Sequence, residues 1–407
     1  MSDVAGLRPP VWRAGRRAAV ALFVGVLAAV LFSLLVFEVS SITTDLAVYR
    51  GAIQALLNGQ DLYGFEIRSR GLVLPFTYPP FAALVLMPSA LGPEVVVVWS
   101  WVALQCAMLL FSVWLIFQRT PQHARTGSLE GRLLLLLGFL LMLASDPVMS
   151  DITLGQVSLG IVVLVLVDFL VLPARWRGVL TGLAAAIKLT PFVFVGYLLV
   201  TRQWRQAGNA VGAALVATAV GFAILPTQSV RYWTQLLWDT GRVGDTAAQR
   251  NKSTLGALYH YGLSGEIQRP VWLLLVAVLV VAVLWSARRQ QLRGNELGAL
   301  ISMGLLAGLI SPIAWPHHLI WLPLAGLYLI YLGRPLPLLA GIGVLATCLT
   351  WSPLLSYETS DQMWVNVLGD VSILVMVLVA VAGLPSMPGL QTGGARVDGE
   401  QSRPAGA

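Results

Sequence analysis

VVVVWSWVALQCAMLLFSVWLIF, residues 95–117, carries no charged side chain. About 20 such residues cover a hydrocarbon core roughly 30 Å thick, so the stretch reads as a membrane span. Similar stretches lie at 18–38, 133–146, 155–173, 207–225, 270–287, 297–312, 317–333, 335–351 and 364–384. The whole chain follows suit. Of its 407 residues, 57% are hydrophobic and 11% charged, against roughly 45–50% and 25% in soluble domains. The composition predicts an all-α polytopic membrane protein. The first stretch is expected to be retained, since its apolar run is long and no small-residue cleavage site follows it.

Lys and Arg set the orientation, because cytoplasmic loops carry the excess of positive charge. Arg8, Arg13, Arg16 and Arg17 precede the first span; Arg119, Arg125 and Arg132, then Arg175 and Arg177, then Arg288, Arg289 and Arg293 occupy alternating loops. Both termini are therefore expected in the cytoplasm, with loops 39–94, 146–154, 226–269, 313–316 and 352–363 outside. Residues 178–200 break the alternation, having basic pairs at both ends and Lys188-Leu189-Thr190-Pro191 within. Proline disrupts a helix interior, so this segment reads as two half-helices or short crossings, with one kinked span as the alternative. The expected organisation is a basic cytoplasmic tail (1–17), one transmembrane catalytic domain (18–384) and a disordered Gly/Ser/Pro-rich tail (385–407).

The net charge of +7 does not point to nucleic acid, because the basic residues are scattered between spans. Cys106 and Cys348 sit in apolar stretches and read as small buried hydrophobes, with neither disulfide nor metal expected. Asp168 is expected to snorkel toward the cytoplasmic edge near Arg175. Asp370 lies near the outer end of the last span.

The chemistry concentrates in the outer loops. Asp45, in Thr43-Thr44-Asp45-Leu46-Ala47-Val48-Tyr49, follows the first span at the membrane–water boundary. It reads as a helix N-cap or as a general base, and the two roles are compatible. Tyr49, Tyr63 and Tyr78, the last within Pro75-Phe76-Thr77-Tyr78-Pro79-Pro80-Phe81, offer an aromatic wall for a sugar face or prenyl chain. Interfacial enrichment of Tyr gives the same pattern. Asp146 and Asp151 share a short loop, and Gln156 is placed just inside the next helix. Arg250-Asn251-Lys252-Ser253 offers basic and amide groups suited to a phosphate. His317 and His318, in Ser311-Pro312-Ile313-Ala314-Trp315-Pro316-His317-His318, interrupt two apolar spans, and polar groups at such depth face a cavity by default. Hydrogen bonding to a phosphate or sugar hydroxyl fits them better than metal binding, given how few other ligands accompany them.

Taken in order, Asp45-Leu-x-Val-Tyr49, Gly59-x-Asp-Leu-Tyr63, Phe76-Thr-Tyr-Pro-Pro-Phe81, Leu154-Gly-Gln156, Gly182-Leu-Ala-Ala-Ala-Ile-Lys188-Leu-Thr-Pro191, Asn251-x-Ser253 and Ser311-Pro-x-x-Trp-x-His-His318 resemble glycosyltransferase family 87. The resemblance covers residues 40 to 335. It implies the GT-C architecture, here about ten full spans plus a broken helix pair, about 12 helices in all by span length, with the active site on the outer face of the cell membrane. It also implies inverting transfer of mannose, commonly α-1,2, from a polyprenyl-phosphate donor to a membrane glycolipid such as a phosphatidylinositol mannoside or lipomannan. Asp45 is then the catalytic base, and His317 or His318 belongs to the donor or acceptor site. Tyr49, Tyr63, Tyr78, Gln156, Lys188, Arg250, Asn251 and Lys252 complete the expected substrate-binding set. No cofactor, metal or nucleic acid is expected. A prenyl-phosphate-arabinose-dependent enzyme and a lipid-linked sugar transporter are the alternatives, though a transporter would carry paired repeats and midplane charges.

Overall fold

The computed structural model describes residues 44–69, 72–349 and 363–386. The stretch at 18–38, both tails and most of loop 352–363 lie outside the described residues.

The chain opens with α1 (Thr44–Leu57), the hairpin β1 (Glu66–Ser69) and β2 (Leu72–Pro75), and α2 (Pro80–Val85). The long α3 (Glu94–Gln118) follows, then α4 (Leu129–Leu143), α5 (Asp146–Leu154), α6 (Ser158–Leu170), α7 (Val179–Ile187) and α8 (Val193–Val200). Next come α9 (Trp204–Ile224), α10 (Pro226–Thr234), α11 (Thr254–His260), α12 (Gln268–Leu292), α13 (Glu296–Ile310), α14 (Trp321–Tyr331), α15 (Pro335–Thr347) and α16 (Met363–Ala382).

Among the described residues, α3, α9 and α12 are long and apolar enough to cross a membrane, and a fourth span results if the bent pair α5–α6 counts as one. Their outward faces are apolar: Leu215 and Val216 on α9, and Leu274 and Val281 on α12, are exposed. Water would penalise such surface, whereas hydrocarbon would not. The other expected stretches within the described residues also form helices, most of them shorter than a full span.

Three local expectations need correction. The protein is not strictly all-α: β1 and β2 pair antiparallel, with Ile67 opposite Leu74. Side chains alternate between the two faces, so Ile67 and Leu74 pack inward while Arg68 and Val73 face out, which is strand periodicity. Residues 146–154 are a helix rather than a loop, started by Pro147 in its first turn, a favoured position for proline. Asp168 does not snorkel. It is fully buried and accepts from the Gly178 and Leu180 amides (2.7 and 3.1 Å) and the Thr181 hydroxyl (2.6 Å), tying α6 to the start of α7.

The interruption at 178–200 is real. The helix α7 ends at Lys188, whose backbone is extended (φ −148°, ψ 125°), and a 3-10 turn bearing Pro191 leads into α8. With nine and eight residues, neither piece alone spans a bilayer. Close helix contact holds α7 against α9, since a Cβ at Gly182 would lie 2.2 Å from the Ala210 carbonyl oxygen. Small residues at such crossings let backbones approach.

Candidate active site

The site assembles around a sharp reversal between α5 and α6, which meet at 114°. Gly155 closes α5 in the left-handed conformation (φ +73°), where a side chain is strained. A Cβ there would also lie 2.5 Å from the Leu46 Cβ. The glycine thus allows both the turn and the close approach of α1. The turn delivers Gln156 to Asp45.

Gln156 is not inside the following helix, as its sequence context implied; it sits in the linker before α6. Its backbone is held on both sides. Its amide donates to the Asp151 carbonyl (2.8 Å), and its carbonyl accepts from Gln105 Nε2 (3.1 Å), which also bonds the Asp151 carbonyl. The side-chain NH2 donates to Asp45 Oδ2 (2.8 Å), while its carbonyl oxygen accepts from the Tyr78 and Tyr49 hydroxyls (2.7 and 3.0 Å).

Asp45 lies within the first turn of α1 and is half-buried. Burial pushes its carboxyl up to about 6, against the opposing pull of the Gln156 hydrogen bond and the Lys188 charge. Desolvation disfavours the charged form and hydrogen bonding to it restores part of the loss. Tyr49, one turn further on α1, and Tyr78 flank it, with Phe76 packed edge-on against both rings. Tyr63 donates to the Tyr78 carbonyl (2.9 Å) and stacks on Tyr232 (5.8 Å between centroids). Asp151 is fully buried and accepts from the Ser158 and Leu159 amides (3.1 and 3.2 Å), capping α6 rather than offering a second base.

Lys188 reaches the same place from the break after α7. Its ammonium lies 5.4 Å from the Tyr78 ring centre and, among the described residues, has no hydrogen-bond partner. A buried cation without a partner is costly and marks a position suited to an anion. Lys188 lines a cavity together with Ser158, Thr190, Ser311, His318 and Trp321. His318 accepts from the Trp315 amide at Nδ1 (3.2 Å), and its ring meets His317 edge-to-face at 4.4 Å. His317 is buried, in a 3-10 turn (Pro316–His318) packed on α5. Beside this cavity, and sharing Thr190, Ala307 and Ser311 with it, runs an apolar groove of about 520 Å³ between α8, α12 and α13.

The residues expected to hold phosphate at 250–252 already have protein partners. Arg250 pairs with Asp146 (3.2 Å). Lys252 donates to the Gln249 carbonyl (2.7 Å) and pairs with Asp370 (3.2 Å), and Asp370 in turn bonds His260 (2.8 Å). Asn251 donates to the Thr246 and Pro312 carbonyls (2.8 and 3.1 Å) and accepts from the Ala314 amide (2.9 Å). The segment fastens the turn that carries the histidines. Gln105 and Tyr232 are contributors that the sequence reading missed. A lone glutamine in an apolar span was the available signal for the first; Tyr232 carried none.

A helical protein with long apolar helices, a carboxylate held beside an unpartnered lysine, and an apolar groove leading away fits an enzyme acting on lipid-borne substrates. The sequence profile of Glycosyltransferase family 87 matches residues 76–312. The chain is 30% identical over 363 residues, 84% of each chain, to the polyprenol-phosphate-mannose-dependent alpha-(1-2)-phosphatidylinositol mannoside mannosyltransferase of Mycobacterium tuberculosis. It is 29% identical to the Mycolicibacterium smegmatis enzyme of the same name, with 86% of each chain covered. It is 31% identical to the M. smegmatis alpha-(1-2)-phosphatidylinositol pentamannoside mannosyltransferase, covering 83% of this chain and 80% of that one. The chain belongs to glycosyltransferase family 87.

Proposed function

We propose that this protein transfers mannose from polyprenyl-phosphate mannose to a phosphatidylinositol mannoside, with inversion, to form an α-1,2 linkage. The observation that carries the reading is the junction of three environments: the Asp45 carboxylate, the unpartnered Lys188 ammonium, and an apolar groove that shares its wall with the Lys188–His318 cavity. The names of the relatives supply the sugar and the acceptor class. They favour mannose over arabinose.

In this reading the prenyl chain lies in the groove and its phosphate meets Lys188 and His318. The acceptor hydroxyl oxygen attacks the anomeric carbon while the bond from that carbon to the phosphate oxygen breaks. Its proton passes to the Asp45 carboxylate, which must lie within about 3 Å of the hydroxyl. The departing polyprenyl phosphate gains negative charge, which a fixed ammonium and an imidazole N–H stabilise in a water-poor site. A single displacement needs only one carboxylate, consistent with Asp151 serving as a helix cap.

The membrane arrangement belongs to the same proposal: about ten spans by apolar length, both termini cytoplasmic, and α1 with its hairpin on the outer face. Incubating membranes bearing the protein with polyprenyl-phosphate [14C]mannose and a phosphatidylinositol mannoside extract tests the activity. Labelled glycolipid containing a new α-1,2-mannose is expected. Labelling only with a prenyl-phosphate arabinose donor would overturn the assignment.

A further inference from the structure

We propose that Gln156 is a positioning residue: with its amide orientation set by the Tyr49 and Tyr78 hydroxyls, it presents its NH2 group to Asp45 and fixes where the base points. The inference rests on Asp45 being the base.

The geometry is over-determined. An amide oxygen has two lone pairs and an amide nitrogen two protons. The Tyr78 hydroxyl donates to the Gln156 oxygen at 2.7 Å, and the Tyr49 hydroxyl, 3.0 Å from that oxygen and 3.2 Å from the Tyr78 hydroxyl, has one proton to give to either; the two come from separate elements, α1 and the segment before α2. The NH2 group is then left facing Asp45 Oδ2 at 2.8 Å. Reversing the amide would place two oxygens at that distance with no proton between them, unless Asp45 were itself protonated. This orientation of Gln156 and the ionised form of Asp45 therefore select each other. The backbone beneath it is fixed by bonds to Asp151 and Gln105 and follows the left-handed Gly155.

Other charged groups act on the same carboxylate. Lys188, from the break after α7, favours its ionised form; Asp151, from α5, is turned to the α6 amides. Neither changes in the variants below. Among the influences that oppose burial at Asp45, the Gln156 hydrogen bond is larger than the Lys188 charge. The tyrosines thus have a role distinct from a sugar-binding wall: their hydroxyls set the amide.

Two variants test this in membranes, with polyprenyl-phosphate [14C]mannose and phosphatidylinositol mannoside extract as substrates. Gln156→Leu removes the donor, and the acidic limb of the kcat–pH profile should move up by about one unit, the size expected for loss of one hydrogen bond to a carboxylate. Turnover near pH 6 should fall about fivefold and recover toward the wild-type value as pH rises and Asp45 ionises without help. The double variant Tyr49→Phe/Tyr78→Phe keeps both rings, and its limb should move in the same direction. It also carries the test if Gln156→Leu does not fold. A limb that stays in place, with only a lowered melting temperature, overturns the positioning role. Asp45→Asn run alongside separates the two levels. An inactive Asp45→Asn with an unmoved limb in the other variants removes only the role of Gln156, whereas an active Asp45→Asn removes the base and this inference with it.

Discussion

Two buried charge clusters in this protein are built on opposite terms. In the first, Lys252, Asp370 and His260 close on one another, with the lysine also bonded to the Gln249 carbonyl and the histidine to the Ala248 carbonyl. In the second, Asp45 has Gln156, while Lys188 has no hydrogen-bond partner among the described residues. Burying an ion pair is close to neutral for stability, and burying an unpaired ion is unfavourable. The closed cluster therefore serves the scaffold, joining α11 and α16. The open one bears a cost that substrate charge can offset, and it lies beside the cavity. The sequence reading put Lys188 and Lys252 in one substrate-binding set; the structure separates them by what each already holds.

The largest effect should come from Asp45. Asp45→Asn keeps the size of the side chain and an oxygen that can still accept from Gln156, and it removes the proton acceptor. Turnover should fall about 100-fold or more, with folded protein retained, as judged by detergent gel filtration and a melting curve. The pH profile sharpens the same point. Burial raises the Asp45 carboxyl to about 6, so the basic form is present above that value and is lost as pH falls through it. Turnover should be half-maximal near pH 6 and decline about tenfold per unit below pH 5. A limb near pH 4, the ordinary aspartate value, would mean that burial does not raise the Asp45 carboxyl.

Next comes Lys188. Lys188→Met preserves the aliphatic stem and deletes the charge. Turnover should drop on the order of 10–100-fold through lost stabilisation of the departing phosphate. The melting temperature should hold or rise, because an unpartnered buried cation is gone. An equal loss of activity and stability would instead place Lys188 with the scaffold. His318→Ala should cost about tenfold in turnover, the lower end for a single well-placed donor. Near-normal turnover would return both histidines to packing.

How much of this was legible beforehand follows from which signals are local. Apolar runs marked the helical stretches, because span length is a one-dimensional property. The break at Lys188–Pro191 was visible from proline and from the basic pairs on either side. The hairpin at 66–75 was missed because a four-residue strand leaves too short a pattern inside a long loop. Asp45 was legible by position, but its partner was not: Gln156 is 111 residues away, and nothing in Leu154-Gly155-Gln156 says which carboxylate the turn will meet. The partners of the 250–252 loop were hidden for the same reason. Its groups suit a phosphate, and only the fold shows that Asp146, Asp370 and Pro312 satisfy them first.

The smallest catalytic effect, and the sharpest contrast with Lys188, is expected at Lys252. Lys252→Met leaves Asp370 buried with His260 as its remaining partner. Breaking a buried pair from one side is destabilising by about 3 kcal/mol or more, so the melting temperature should fall clearly. The surviving folded enzyme should turn over within about twofold of wild type, because Lys252 acts only through the scaffold, well short of the tenfold steps expected of groups at the reacting bond. Adding Asp370→Asn removes the stranded charge, and the double variant should recover much of the lost stability, as paired neutral replacements of buried ions commonly do. The opposite pattern, a melting temperature left in place with turnover down more than tenfold, would show that Lys252 leaves Asp370 to meet the substrate phosphate. Closed and open charge clusters would then not differ in function at the residue where the contrast is easiest to measure.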